Sequence, residues 1–165
     1  MAENILTRLF EHNHWANLRI IDTCLTLTDE QLDAAPQSVT LGSIRETLLH
    51  LVSSQHGYLS LLTLPVEARK RITPVLGEMK EAARISGEGL IALTKNDPDQ
   101  TLPARLQTMD GYYVEPWLIM VQIINHASEH REQICSMLNV LGVTPPDMDG
   151  WSYGEVTSAL VPMPK

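Results

Sequence analysis

The sequence contains little cysteine, little positive charge and no long apolar run. Its two cysteines, Cys24 and Cys135, have no CxxC partner, which argues against a disulfide framework and suits a reducing cytoplasm. Lys and Arg number 12 against 20 acidic residues, so the formal net charge of −8 disfavours nucleic acid and anionic lipid as partners. No stretch approaches the roughly 20 apolar residues of a membrane span, and the N-terminus lacks a signal-peptide pattern. We therefore expect a cytoplasmic protein that binds neither membranes nor nucleic acids.

The sequence instead has apolar residues at helical spacing in four long stretches. The predicted long helices span residues 3–27, about 41–64, about 74–95 and about 116–141. Thr28 and Ser43 each stand three residues before a Gln or Glu, which is the spacing of a capping box at a helix start. Pro65 and Gly142 provide stops for the second and fourth of these helices.

A shorter segment at 101–114 has a different pattern. It alternates around Asp110-Gly111, a favoured hairpin turn pair, and predicts a short β-hairpin before the last long helix. Four long helices with one hairpin predict an all-α four-helix bundle, and a chain of this length is one domain, 1–165. The long connections at 28–40 and 96–115 favour crossover connections over a simple up-down-up-down arrangement.

Three histidines are the main functional feature. His126 and His130 are four residues apart in the last long helix, so their side chains lie on one face with Cβ atoms about 5–6 Å apart. A helical projection places both on the apolar stripe, pointing into the bundle. His50 lies on the shoulder of the apolar stripe of the second long helix. Two imidazoles one turn apart can coordinate one metal ion, and His50 could complete a three-histidine site from another helix.

The competing interpretation is that these are ordinary core histidines. A single inward histidine is usually hydrogen-bonded within the core, but two at this spacing and a third on a neighbouring helix favour a metal. Imidazole nitrogens suit zinc, nickel, iron or copper, whereas magnesium and calcium require oxygen ligands. We expect zinc or nickel ahead of iron. Without a carboxylate ligand the ion keeps its full charge, and coordination positions stay open.

Four other side chains are weaker candidates. Glu129 completes a formal match to the H-x-x-E-H of inverted zincin peptidases, but only about 35 residues follow His130 and Glu129 projects towards the polar face. We therefore interpret Glu129 as a solvated carboxylate. His12 lies near the edge of the apolar stripe and could line the same pocket, and His14 is predicted to be exposed. Cys135 projects away from the histidines and is not expected to act at the metal.

Three blocks of residues and a C-terminal segment carry a resemblance to a known family. They are Asn13-His-Trp15-Ala-Asn17, Leu49-His50-Leu51, Asn125-His126-Ala-Ser-Glu-His130-Arg131-Glu-Gln133, and the segment Leu138-Asn-Val-Leu141-Gly142-Val-Thr-Pro145-Pro146-Asp147. With these residues the chain resembles the DinB/YfiT-like family over nearly its whole length. One departure is Glu132, where the family often has Gly between the Arg and the Gln.

The resemblance implies a four-helix bundle with crossover connectivity, often assembled as a homodimer. It also implies a divalent metal on His50, His126 and His130. Family members with assigned activities are thiol-dependent transferases or isomerases that use low-molecular-weight thiols, and some are hydrolases. The "damage-inducible" family name does not imply DNA binding, which the acidic charge of this chain opposes.

Three functional hypotheses follow. In the first, the protein is an enzyme whose metal activates a low-molecular-weight thiol or water for attack on a small electrophile, with Asn13, Asn17 and Arg131 as supporting groups. In the second, the metal stabilises a non-catalytic dimeric binding module. In the third, the bundle contains no metal and the histidines belong to its core. The residues that would carry out catalysis are not predicted.

Overall fold

Four long helices dominate the computed structural model, which describes residues 4–34, 42–95 and 102–163. The elements in chain order are α1 (Ile5–Cys24), α2 (Asp29–Asp33), α3 (Ile44–Thr63), a 3-10 turn (Val66–Ala68), α4 (Leu76–Thr94), β1 (Leu106–Gln107), β2 (Tyr113–Val114), α5 (Pro116–Val140) and α6 (Gly150–Val156). The long helices α1, α3, α4 and α5 correspond to the four predicted ones, and their ends differ from the prediction by up to three residues. The all-α bundle prediction is therefore confirmed.

Capping residues explain where the helices begin and end. At the start of α3 the Ser43 hydroxyl accepts from the Glu46 backbone N–H at 3.2 Å, and a Glu46 carboxylate oxygen accepts from the Ser43 N–H at 2.9 Å. Thr28 and Gln31 form the same reciprocal pair at the start of α2. After α5 the chain turns at Gly142, whose φ of +72° is a left-handed conformation that favours glycine.

The helices are connected by crossovers. α1 packs beside α4 and α5, and α3 packs beside the same two helices. The consecutive long helices α1 and α3 are therefore diagonal to each other, as are α4 and α5. A simple up-down-up-down bundle would make consecutive helices neighbours, so the predicted crossover connectivity is confirmed. Residues 35–41 and 96–101 of the two connections lie outside the described residues.

Two apolar clusters fill the bundle, with polar side chains between them. One cluster includes Ile20, Leu48 and Ile134, and the other includes Phe10 and Ile123. On α1, α3 and α4, four of the buried polar residues occupy sequence positions between the members of the two clusters. These residues are Asn13, Asn17, Gln55 and Ser86. The middle of the bundle is consequently polar, and a polar group there needs hydrogen-bond partners.

Two glycines in α4 allow neighbouring helices to approach closely. A Cβ on Gly87 would collide with the His14 imidazole of α1, and a Cβ on Gly89 would lie 2.7 Å from a Leu59 methyl carbon of α3. This packing accounts for glycines that weaken a helix by about 1 kcal/mol each. It also shows that the expected exposure of His14 is wrong, because the ring packs against α4.

The predicted hairpin precedes α5 and is shorter than the 101–114 segment suggested. β1 and β2 pair antiparallel with Leu106 opposite Val114, and Gly111 in the turn has a φ of +92°. The described part of the C-terminal tail contains one short helix, α6. Across the described residues, no helix combines the length and apolar character that a bilayer span requires.

Candidate metal centre

The three predicted histidines converge on one point between α3 and α5. The Nε2 atom of His126 lies 3.0 Å from Nε2 of His50 and 3.1 Å from Nε2 of His130. One ring nitrogen from each histidine lies within 4.8 Å of the corresponding atom of the other two. Among the described residues the structure thus gathers three imidazoles that could hold one metal ion.

Hydrogen bonds among the three rings cannot account for both short contacts of His126. A neutral Nε2 carries either one hydrogen or one lone pair, so Nε2 of His126 can make one linear hydrogen bond although it has two neighbours. A shared cation would accept a lone pair from each ring. Nitrogen atoms bound to one tetrahedral zinc ion at about 2.0–2.1 Å lie roughly 3.3–3.4 Å apart, so the spacings of 3.0 and 3.1 Å here need to widen by only a few tenths of an ångström. The donor set therefore fits a nitrogen-preferring transition metal.

Burial and mutual proximity favour the neutral form of His50 and His126. Burial, together with smaller contributions from the neighbouring His130 and His50, lowers the pKa of His126 to about 4. Burial also lowers the pKa of His50, with smaller contributions from His130 and from the Arg71 guanidinium. A neutral imidazole is the form that binds metals, so both rings are prepared for ligation at neutral pH.

Gln133 orients the ring of His130. The Nδ1–H of His130 donates to the Gln133 side-chain oxygen at 2.8 Å, which leaves the Nε2 lone pair directed at the cluster. Such a partner on the other ring nitrogen is the usual way in which proteins fix the tautomer of a ligating histidine. The two residues are three apart on α5 and therefore share a face.

The cluster is open on the side of α3. His130 is buried, His126 is half-buried and His50 is exposed, so the projection of His126 and His130 into the bundle holds fully only for His130. A cleft of about 550 Å³ lies beside His50, between α3, residues 69–73 and the turn of the hairpin. Tyr58 lines this cleft, and its ring centroid is 5.6 Å from that of His126.

The chain matches the model of the DinB family over residues 1–162. The chain belongs to the DinB family. This match confirms the resemblance carried by the two histidine blocks and the Asn13–Asn17 block. No curated protein matches the sequence.

In this DinB-family chain the predicted supporting groups bind one another. The buried Arg131 donates from Nη1 to Asn13 Oδ1 at 2.7 Å and to Asn17 Oδ1 at 2.6 Å, and from Nη2 to Ser128 at 3.1 Å. The Asn17 amide in turn donates to the Gln55 side-chain oxygen at 2.7 Å. Burial lowers the pKa of Arg131 to about 10. In the part of the chain that the structure describes, no carboxylate pairs with this guanidinium.

The remaining candidates of the DinB-family sequence lie outside the histidine cluster. Glu129 is exposed, which agrees with its interpretation as a solvated carboxylate. His12 does not reach the cluster, because its Nε2 atom contacts the Met148 carbonyl oxygen at 2.9 Å. Cys135 is buried, and burial raises the pKa of its thiol to about 11, so it does not form a thiolate at neutral pH.

The sequence-based interpretation assigned no role to Gln133 or to the cleft beside His50. The position of Gln133 three residues after His130 was a usable signal, because that spacing places both side chains on one face of a helix. The basic run at 69–71 was a second signal, since it stands out in a chain of net charge −8. The cleft itself is formed by segments distant in sequence and had no local signal.

Proposed function

We propose that this DinB-family protein is a metal-dependent enzyme that activates a low-molecular-weight thiol or water for attack on a small electrophile. The observation that carries the proposal is the cluster of three histidine nitrogens, open at His50 beside a cleft of small-molecule size. Preference for a thiol and assembly as a homodimer form part of the proposal on the family resemblance alone, and a cytoplasmic location forms part of it on the cysteine content.

The three histidines would hold a divalent transition metal through Nε2, with zinc or nickel expected ahead of iron. When bound, the ion would supply Lewis-acid chemistry that favours the deprotonated form of a thiol or a water. Gln133 would keep the lone pair of His130 directed at the ion by holding the proton at Nδ1.

The protein's own side chains indicate where the thiol would come from. Cys24 and Cys135 are both buried, and burial raises the pKa of each thiol, that of Cys24 to about 12. Neither is therefore suited to act as a nucleophile. A thiol used by this site would be a small molecule from solution that enters through the cleft beside His50.

The alternative of a non-catalytic, metal-stabilised module fits this arrangement less well. Structural zinc sites are closed by four protein ligands, whereas catalytic sites use three and leave a position open. Within residues 4–34, 42–95 and 102–163 the histidine cluster offers three ligands. The exposed position of His50 also favours access by a small molecule.

A metal titration tests the proposal. Protein purified without a histidine tag should bind about one equivalent of zinc or nickel, and His126→Ala should weaken that binding by more than about a hundredfold because it removes the nitrogen shared by both short contacts. His12→Ala is the matched control, since His12 lies outside the cluster. Negligible metal in the native protein, unchanged by His126→Ala, would contradict both metal-based functions.

A spectroscopic titration separates the enzyme from the module. In cobalt- or nickel-loaded protein, addition of a small thiol should change the visible absorption bands of the metal, because an open site admits an exogenous ligand. Protein that keeps its bands at saturating thiol would have a closed site, and the structural role would then replace the catalytic one.

A further inference from the structure

Three consecutive basic residues border the cleft beside His50. Arg69, Lys70 and Arg71 follow the 3-10 turn after α3 and lie in an extended segment that forms one wall of the cleft. The Arg69 guanidinium donates from Nε to the Leu64 carbonyl at 2.9 Å and from Nη1 to the Gln107 carbonyl at 2.5 Å. These bonds attach the segment to the end of α3 and to the hairpin, so the basic wall has a defined position.

These cations differ from most basic side chains on the helices. Arg84 pairs with Glu81 and Glu88, and Lys80 pairs with Asp22. Arg45 likewise bonds to two aspartates at its end of α3. In contrast, neither Lys70 nor Arg71 has an ion pair in the described part of the chain. An acidic protein with many carboxylates thus leaves two adjacent cations unpaired at the border of its cleft.

The rest of the cleft is largely apolar. Leu49, Leu61, Ile72 and Met109 contribute to its walls, and its volume of about 550 Å³ suits a small organic molecule. Glu46 is the one acidic residue that lines the cleft within the described residues. Its carboxylate is already engaged with Ser43 in the capping box of α3. The described lining therefore has three basic side chains against one carboxylate, and a net positive charge remains.

We propose that this cleft binds a small organic anion, whose carboxylate or phosphate is held by Lys70 and Arg71 while its apolar part contacts Leu49, Leu61 and Ile72. This inference deepens the proposed function by naming the substrate class of the same site. Arg and Lys recognise carboxylates and phosphates through charge-assisted hydrogen bonds. Because His50 and Arg71 line one cleft, a molecule held by its anionic end has its other atoms beside the histidine cluster.

Displacement of a fluorescent anion measures this selectivity. Bound 8-anilinonaphthalene-1-sulfonate is displaced from the metal-loaded protein by octanoate, by octyl phosphate and by octan-1-ol in separate titrations. The anions should displace it at concentrations at least about tenfold lower than the alcohol, and comparison of octanoate with octyl phosphate identifies the preferred head group. Equal potency of the alcohol and both anions would overturn the proposal.

Charge-removing variants assign the selectivity to the basic wall. Lys70→Gln with Arg71→Gln should weaken binding of the better anion by about tenfold and leave octan-1-ol unchanged. Lys95→Gln with Arg19→Gln removes the same charge elsewhere on the surface and should change binding less than twofold. Circular dichroism confirms that both variants are folded. Equal losses in the two double variants, or no loss in either, would contradict the assignment.

A metal-free measurement separates this inference from the proposed function. His126→Ala protein treated with a chelator should still prefer octanoate or octyl phosphate to octan-1-ol, because the cations of the basic wall remain. If the preference disappears with the metal and Lys70→Gln with Arg71→Gln has no effect, the ion is the anion receptor and this inference is wrong. If the native protein binds no metal but retains the preference, the proposed function fails and the anion site stands.

Discussion

The histidine cluster and the Arg131 network contain neighbouring residues of α5, His130 and Arg131, but these two side chains differ in how their polar atoms find partners. His130 joins two other histidines whose short contacts cannot all be satisfied as hydrogen bonds, and the cluster opens to solvent at His50. Arg131 instead faces α1, where Asn13 and Asn17 present carbonyl oxygens to it. The histidine cluster lacks a partner that a bound ligand could provide, whereas the Arg131 guanidinium has hydrogen-bond acceptors on α1.

The difference separates a binding site from a structural one. A buried polar network stabilises a fold when its members supply one another with donors and acceptors, as the Asn17 amide does when it donates to Gln55. Ring nitrogens that converge with too few donors for the lone pairs among them cost free energy unless a cation or a further proton is present. Removal of a side chain should therefore impair folding in one cluster and metal binding in the other.

The largest effect on stability is expected for Arg131→Met. This variant removes the donor of two buried amide oxygens, on Asn13 and Asn17, and should lower the free energy of unfolding by about 2–4 kcal/mol. Chemical denaturation of the metal-free protein measures the change. Arg19→Met is the control, because Arg19 is exposed and stacks on Trp15, and should cost less than about 1 kcal/mol. Equal losses in the two variants would contradict a structural role for the network.

Gln133→Leu is expected to have a smaller effect, and to weaken metal binding more than it lowers stability. Loss of the acceptor for His130 Nδ1–H should weaken zinc or nickel binding by about 10–100-fold. The metal-free protein should lose no more than about 1 kcal/mol of stability, since Gln133 is half-buried and water can replace its amide as a hydrogen-bond partner. Gln122→Leu on the exposed face of α5 is the control and should leave metal affinity unchanged. Unaltered affinity in Gln133→Leu would show that Gln133 does not orient the ligand.

The smallest effect concerns His14, which belongs to neither cluster. Its Nδ1 atom is buried without a hydrogen-bond partner in the described structure, and burial lowers its pKa, with Glu88 opposing and Arg84 assisting the shift. Because the folded-state pKa lies below the unfolded value of about 6.5, this residue contributes stability above that pH and loses the contribution as the pH falls through it.

Replacement of His14 should consequently flatten the acid side of the stability profile. Between pH 7 and pH 5 the free energy of unfolding of metal-free His14→Gln should fall less steeply than that of the native protein, by urea denaturation at each pH. His12→Gln, whose ring contacts the Met148 carbonyl, is the control. Parallel profiles for His14→Gln and the native protein would contradict a neutral, buried His14.

Much of the fold was predictable from local patterns. Helix ends followed capping pairs such as Ser43 with Glu46, whose hydrogen bonds form within one turn and depend on a few residues. The pairing of His126 with His130 was equally local, because helical geometry fixes the distance between residues four apart. His50 required more, since its helix had to lie beside α5. The apolar stripe and the family resemblance together suggested that neighbour.

The misjudged residues depend on contacts between helices. His14 lies off the apolar stripe of α1, yet α4 approaches it closely because Gly87 has no Cβ. Asn13, Asn17 and Arg131 were recognised as a related group, but the sequence could not show that they bind one another. These contacts depend on how closely the helices approach one another in the folded bundle. The apolar periodicity of a single helix does not predict contacts between helices.

The crossover connectivity also bears on the chain entropy of this protein. His50 and His126 are separated by 76 positions, and they meet because α3 and α5 are neighbours in space. An ion held by both residues would close a loop of that length, and the entropy lost on loop closure grows with the logarithm of loop size. If the ion binds the folded state and not the unfolded state, the free energy of unfolding would also rise with metal concentration. Metal supply would then set how long the folded molecule resists unfolding and proteolysis.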